Sequence, residues 1–162
     1  MCLSIAIHRP NDVLATGEHA GFQWQVIHNG NGYRCGYVRV PVGHPWHGKD
    51  YGDIDGDVEV HGGLTFSDSD EPCDKGQPDD GHWFGFDCGH SGDQPDPALP
   101  RTRPLDGPTN AFKSIFDDNS YGEIRTQPYV EAECRSLCEQ AARKSRDVNR
   151  EHASAEVLQA GV

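Results

Sequence analysis

A chain of 162 residues is sized for one domain, and with only 35% hydrophobic residues its core should be smaller than the whole chain. The 19 Gly and 11 Pro call for many turns and loops, and no run reaches the roughly 18 apolar residues of a membrane-spanning helix. The formal net charge is −12, and residues 50–96 carry 14 of the 26 acids against a single basic residue, Lys75. Such a patch repels nucleic-acid backbones, which disfavours direct DNA or RNA binding, and suits basic partners or divalent cations.

Met1 to Pro10 has no cationic lead and no long apolar run, so no secretory signal is expected. Six cysteines without a CxxC pair then read as free thiols in a reducing cytoplasm rather than as a zinc ribbon. Residues 1–21 form an uncertain segment in which Leu3–Ile7 could add an edge strand and Gly17 with Gly21 marks a turn. Phe22–Ile27 alternates as a strand does, Asn29-Gly30-Asn31-Gly32 is a strong turn signal, and Tyr33–Val40 reads as the return strand. The Pro- and Gly-crowded stretch 43–51 reads as an ordered loop anchored by Trp46 and Tyr51.

Asp53, Asp55, Asp57 and Glu59 are spaced two apart, which places them on one side of a strand expected to run from Asp57 to Phe66 through His61-Gly62-Gly63. Residues 67–81 read as a polar loop, and the aromatic strand Trp83–Phe86 follows, antiparallel to the one before the loop. Residues 94–110 hold five prolines and read as irregular. A helix is expected from Thr126 or Gln127, with Pro128 in its first turn and Val130, Cys134, Leu137, Cys138 and Ala141 on one face. Residues 146–162 read as a polar, frayed tail. The fold class expected is therefore α+β: an antiparallel sheet of about four strands on one long C-terminal helix, within a domain spanning 22–145.

The turn Asp87-Cys88-Gly89-His90-Ser91-Gly92-Asp93 concentrates chemistry that a turn does not require. With His61 it offers two imidazoles, two carboxylates and a thiol. These suit either a transition-metal or zinc site, or a Cys88 nucleophile with His61 or His90 as its base and Asp87 or Asp93 as orienter. The two schemes compete for Cys88. The plainer reading has the acids capping turn amides and Cys88 filling core. His44 and His47 beside Trp46 could hold a metal on one helical turn or simply anchor a loop. The acidic ladder lacks the Gly and Glu positions of an EF-hand and reads as a solvated face. Cys134 and Cys138 lie on the apolar stripe and read as core.

Four blocks follow one another along the chain: Gly36-Tyr37-Val38-Arg39-Val40-Pro41 with Gly43-His44-Pro45, then Val60-His61-Gly62-Gly63-Leu64-Thr65-Phe66, then Trp83 through Asp93, and last Tyr129-Val130 with Leu137-Cys138-Glu139-Gln140. In this order, over about residues 22–142, they resemble a family of small proteins widespread in tailed-phage genomes and prophages. The resemblance implies a genetic setting, that of accessory proteins acting in a bacterial host cytoplasm on host or defence components or on small signalling molecules. The functional expectation is a polar pocket built by His61, Asp87, Cys88, His90 and Asp93. His44, Trp46, Gly62, Gly63 and Trp83 would line it, and it would bind and, as an enzyme, hydrolyse a small polar ligand. A divalent metal is compatible with it. The competing expectation is a non-enzymatic inhibitor presenting the acidic face 50–80 to a basic host protein.

Overall fold

The computed structural model describes residues 12–69, 81–99 and 122–160. Five strands form one antiparallel sheet: β1 (Val13–His19), β2 (Phe22–His28), β3 (Arg34–Val40), β4 (Phe66–Ser69) and β5 (His82–Asp87), in the order β1-β2-β3-β5-β4. A short parallel pair, β6 (Asp93–Gln94) with β7 (Glu123–Ile124), stands apart from it. The helix α1 runs from Gln127 to Ala160. The architecture is the α+β sheet-and-helix expected, with one more strand in the main sheet. Among the described residues no helix is long and apolar enough to cross a membrane.

The β2–β3 hairpin forms where the Asn-Gly repeat asks for it. The Asn29 carboxamide accepts from the amides of Asn31 and Tyr33, while Gly30 and Gly32 take the left-handed φ values of 83° and 91° that the turn needs. Period-2 alternation then sorts the side chains. Trp24, Val26, Val38, Val40, Phe84 and Phe86 face α1, whose Val130, Cys134, Leu137, Cys138 and Ala141 are fully buried against them. Ile27, Cys35, Tyr37 and Trp83 form a second buried cluster on the sheet's other face, with Phe66 packed beside it. Cys134 and Cys138 donate their thiols to the carbonyls of Gln25 and Phe22, so the helix is tied to β2 as well as packed on it.

Three elements differ from the sequence reading. Gly17 lies inside β1 and not in a turn, because the Trp24 indole occupies the space a side chain at position 17 would need. The turn falls instead at Ala20-Gly21, where both residues have positive φ. The strand expected over Asp57–Phe66 is absent. Two single 3-10 turns, Tyr51–Asp53 and Asp55–Asp57, are followed by residues 58–65, which belong to no strand and turn at His61-Gly62 before β4 begins at Phe66. Third, α1 continues through the stretch expected to fray. No Gly or Pro interrupts residues 129–160, and Ala, Arg, Lys and Glu carry helix propensity past the end of the apolar stripe. The possible strand at Leu3–Ile7 lies outside the described residues.

The missing strand has a specific cause. Residues 57–61 run along α1, and the helix supplies the partners a sheet would have supplied. Lys144 pairs with Asp57 at 3.2 Å, Gln140 accepts from the Glu59 amide and donates to the Glu59 carbonyl at 2.8 Å each, and the Glu133 carboxylate accepts from the His61 amide at 2.7 Å. Positions 133, 140 and 144 lie on one stripe beside the apolar face. The loop is thereby strapped to the helix, and His61 is delivered to its N-terminal end.

Candidate functional site

His61 opens a tight turn in which Gly62 and Gly63 adopt φ values of 69° and 83°. A Cβ at Gly62 would fall on the His90 ring, so only glycine lets the two segments close. Beyond the turn, the Leu64 amide donates to Asp55 at 2.7 Å and the Thr65 amide to the Gly85 carbonyl at 2.9 Å, pinning the segment to the sheet.

The second segment leaves β5 at Asp87. Asp87 Oδ1 accepts the Gly89 amide at 2.9 Å, the Cys88 amide bonds the Arg34 carbonyl at 3.0 Å, and Gly92 takes φ 92°. The turn closes on its own last residue. Asp93 Oδ2 accepts the His90 amide at 3.0 Å while the Asp93 amide donates to the His90 carbonyl at 2.9 Å. Pairing of β6 with β7 then brings Arg125 alongside, and its Nε donates to Asp93 Oδ1 at 2.8 Å.

Asp93 is the hub. Its side chain is 1% exposed, and its Oδ2 also lies 2.8 Å from His61 Nε2. Burial works to raise the carboxyl's pKa, but hydrogen bonds from Arg125, His61 and the His90 amide outweigh it and hold the group below the usual carboxylate range. The other ring nitrogen of His61, Nδ1, sits 3.1 Å from the Tyr129 hydroxyl. In the neutral ring Nε2–H donates to Asp93 and Nδ1 accepts from the tyrosine, so both nitrogens are engaged. Burial, reinforced by Glu133, raises the Tyr129 phenol and keeps it protonated as that donor. Arg125 lies over the Tyr129 ring, 5.2 Å from its centroid, and pairs through Nη1 with Glu123 at 2.7 Å.

The His61 and His90 rings stand 5.7 Å apart, centre to centre. His90 is one-third exposed along its side chain. Its Nε2 is buried, 3.6 Å from Asp87 Oδ1, without a hydrogen-bond partner among the described residues. Asp87 in turn accepts the Thr65 hydroxyl at 3.2 Å. His61, Asp87, His90 and Asp93, with Gly62 and Gly63, therefore converge.

The other expected residues do not join them. Cys88 is 1% exposed within the helix-facing core, and burial first, then nearby Asp93, pushes its thiol up to about 12. A buried, protonated thiol is no nucleophile. His44 is also buried: Nδ1 accepts the Trp46 amide and Nε2 donates to the Ala141 carbonyl, at 3.0 Å each. Burial lowers its pKa, so it stays neutral and acts as a structural link. Trp46 stacks edge-on with His44 and Phe84, beside Ala141 near the middle of the helix, about 18 Å along the axis from Tyr129. Trp83 is fully buried on the sheet face away from α1. Tyr51, expected as an anchor, is exposed. Among the described residues no group of three or more His, Cys, Asp or Glu side chains is arranged to hold a metal ion. The donor set explains this, since His61 and Asp93 are spent on each other, Tyr129 and Arg125.

Arg125, Tyr129 and Glu133 were not legible as site residues from the turn motif. Tyr129 and Glu133 could have been found by their (i, i+4) spacing beside the apolar stripe. Arg125 carried no signal, because a two-residue parallel pairing places it. Comparison with family models, with curated proteins and with solved structures finds no match to this chain.

Proposed function

We propose that the protein is a phage accessory protein that binds a small polar ligand where His90, Asp87 and the Arg125–Tyr129 pair meet the His61–Asp93 hub. The observation that carries this reading is the approach of two imidazoles, 29 positions apart in the chain, to 5.7 Å over a buried ionised carboxylate. Polar groups gathered so densely on a rigid turn, beside an aromatic ring and a guanidinium, suit recognition of hydrogen-bonding ligands. Binding is favoured over hydrolysis because His61 has no free nitrogen and Cys88 no accessible thiolate. As an enzyme the protein would rely on His90 as base, oriented by Asp87.

Native mass spectrometry after incubation of the purified protein with bacterial metabolite extract tests the reading. A retained small molecule is expected with wild type. It should be lost in His90→Ala, which keeps the fold, and kept when Asp53 and Asp57 are reversed to Lys. No captured species, or capture indifferent to His90, overturns it.

A second reading rests on the two 3-10 turns, which present Asp50, Asp53 and Asp57 to solvent beside exposed Tyr51. That surface suits a basic host protein, with no enzymatic step. Charge reversal at Asp53 and Asp57 would then abolish function while His90→Ala leaves it intact.

A further inference from the structure

α1 outlasts the body it packs on. Ala142 is the last of its residues packed against the buried core, yet the helix continues from Arg143 to Ala160, about 27 Å further. Residues 149–156 are exposed throughout. A helix polar on nearly every side is ordinarily held by pairs between its own side chains or by a partner. Among the described residues beyond Ala142 no ion pair joins one helix side chain to another, and Arg146 and Arg150, one turn apart, repel each other. Four of the chain's 14 Lys and Arg residues fall between 143 and 150, against a single acid, Asp147. Lys144 is spent on Asp57. Arg143, Arg146 and Arg150 are exposed and, among the described residues, unpaired. They share an arc of about 60° on the side of α1 opposite Cys134 and Ala141, so they face away from the sheet. About 100° around the helix from this stripe lies the 50–59 segment, strapped on through Gln140 and Lys144. It carries Asp50, Asp53, Asp55, Asp57 and Glu59, all exposed. Val42 and Tyr51, the exposed large hydrophobic side chains of the described residues at 60% and 38%, bracket the loop that leads into it.

We propose that the arginine stripe and the acidic loop are the two halves of one self-complementary interface, through which a second copy of this chain docks to form a two-fold dimer. Charge and geometry select the occupant. The three arginines cannot turn onto their own chain's loop, because stripe and loop look in different directions around α1. In a two-fold pair each copy seats its loop on the other's stripe, and both contacts form at once. Carboxylates then meet guanidiniums, the pairing best suited to bidentate hydrogen bonds, and Tyr51 and Val42 supply apolar area to the patch. The net charge of −12 on each copy opposes association at long range, but at physiological salt it is screened beyond about 8 Å, which leaves the charges in contact to decide. A nucleic acid would have to bring its phosphates against the acids beside the stripe. The interface is independent of the ligand site, since Arg143 lies about 21 Å along the helix from Tyr129.

The test is sedimentation equilibrium of the full chain at about 100 μM protein and about 0.15 M NaCl. A species of twice 17.8 kDa is expected. Arg146→Glu with Arg150→Glu, and separately Asp53→Lys with Asp57→Lys, should each weaken the dimer by about tenfold or more. Mixed in equal amounts, the two variants should form a heterodimer, because the reversed stripe of one then meets the reversed loop of the other and the remaining contact is native. Misfolded chains could not give that rescue. A monomeric wild type overturns the proposal, as does a dimer indifferent to both reversals or a mixture that stays monomeric. A monomer that retards a labelled DNA duplex, and ceases to when Arg146 and Arg150 are reversed, would overturn it too and give the stripe to phosphates.

Discussion

Asp93→Asn removes one charge and alters almost no volume, which makes it the sharpest probe of the hub. The carboxylate accepts three hydrogen bonds, from His61 Nε2 and Arg125 Nε at 2.8 Å and from the His90 amide at 3.0 Å. An asparagine keeps one acceptor oxygen and turns an NH₂ towards a donor. If the oxygen serves His61 and His90, the NH₂ opposes Arg125, and the reverse placement strands the histidine side. A hydrogen bond to a charged group is worth about 1.5–3 kcal/mol. Because the Arg125 side chain is 21% exposed, water can recover part of the loss on that side. The expected cost is about 2 kcal/mol, or a fall in Tm of about 4–8 °C for a domain of this size. The pH dependence has a definite sign. A carboxyl whose folded pKa is depressed contributes stability that is present above its unfolded value, about 3.9, and lost as pH falls through the folded value. Urea melts of wild type and Asp93→Asn should therefore differ fully at pH 7 and converge progressively below about pH 4. A difference below about 0.5 kcal/mol at pH 7, the range of ordinary surface substitutions, would refute the reasoning. So would a gap that stays constant into acid.

Gly62→Ala should cost more than about 1 kcal/mol, since φ is 69° and the new methyl meets the His90 ring. An unshifted His90 ring signal with an unchanged melt would contradict that contact. Gln140→Ala should release the Glu59 backbone, lowering stability by about 1–2 kcal/mol and the hydrogen-exchange protection of the Glu59 amide with it. Protection unchanged at Glu59 would show that the strap is not formed. Cys88, pushed up to about 12, should resist iodoacetamide at pH 8 in the folded protein and react only after denaturation. Rapid native labelling at that residue would place it at the surface.

Local signals read well where the chain's own neighbours decide the structure. The Asn-Gly repeat and its flanking alternation specify the β2–β3 hairpin without reference to anything distant, and the stripe from Val130 to Ala141 specifies the buried face of α1. The reading failed where distant groups decide. The acids at 53, 55, 57 and 59 alternate like a strand, yet Gln140, Glu133 and Lys144 hold residues 57–61 along the helix. Gly17 looks like a turn and is instead a seat for Trp24. At the site, the density of polar types around Gly89 and Gly92, together with His61-Gly62-Gly63, marked residues that do meet. The same density could not separate Cys88, which alternation turns into the core, from Asp87 and His90, which it leaves part-exposed. Nor could it place the 43–51 loop beside the middle of the helix, away from the hub, since that placement depends on His44 bonding the Ala141 carbonyl.

The meeting of the 61–63 turn with the 87–93 turn through Asp93 is tested most directly by a double-mutant cycle on folding free energy, using His61→Ala, Asp93→Asn and the pair. Residues in direct contact within one network are expected to couple, here by about 1 kcal/mol or more. Additivity within about 0.3 kcal/mol, the behaviour of distant independent sites, would contradict it.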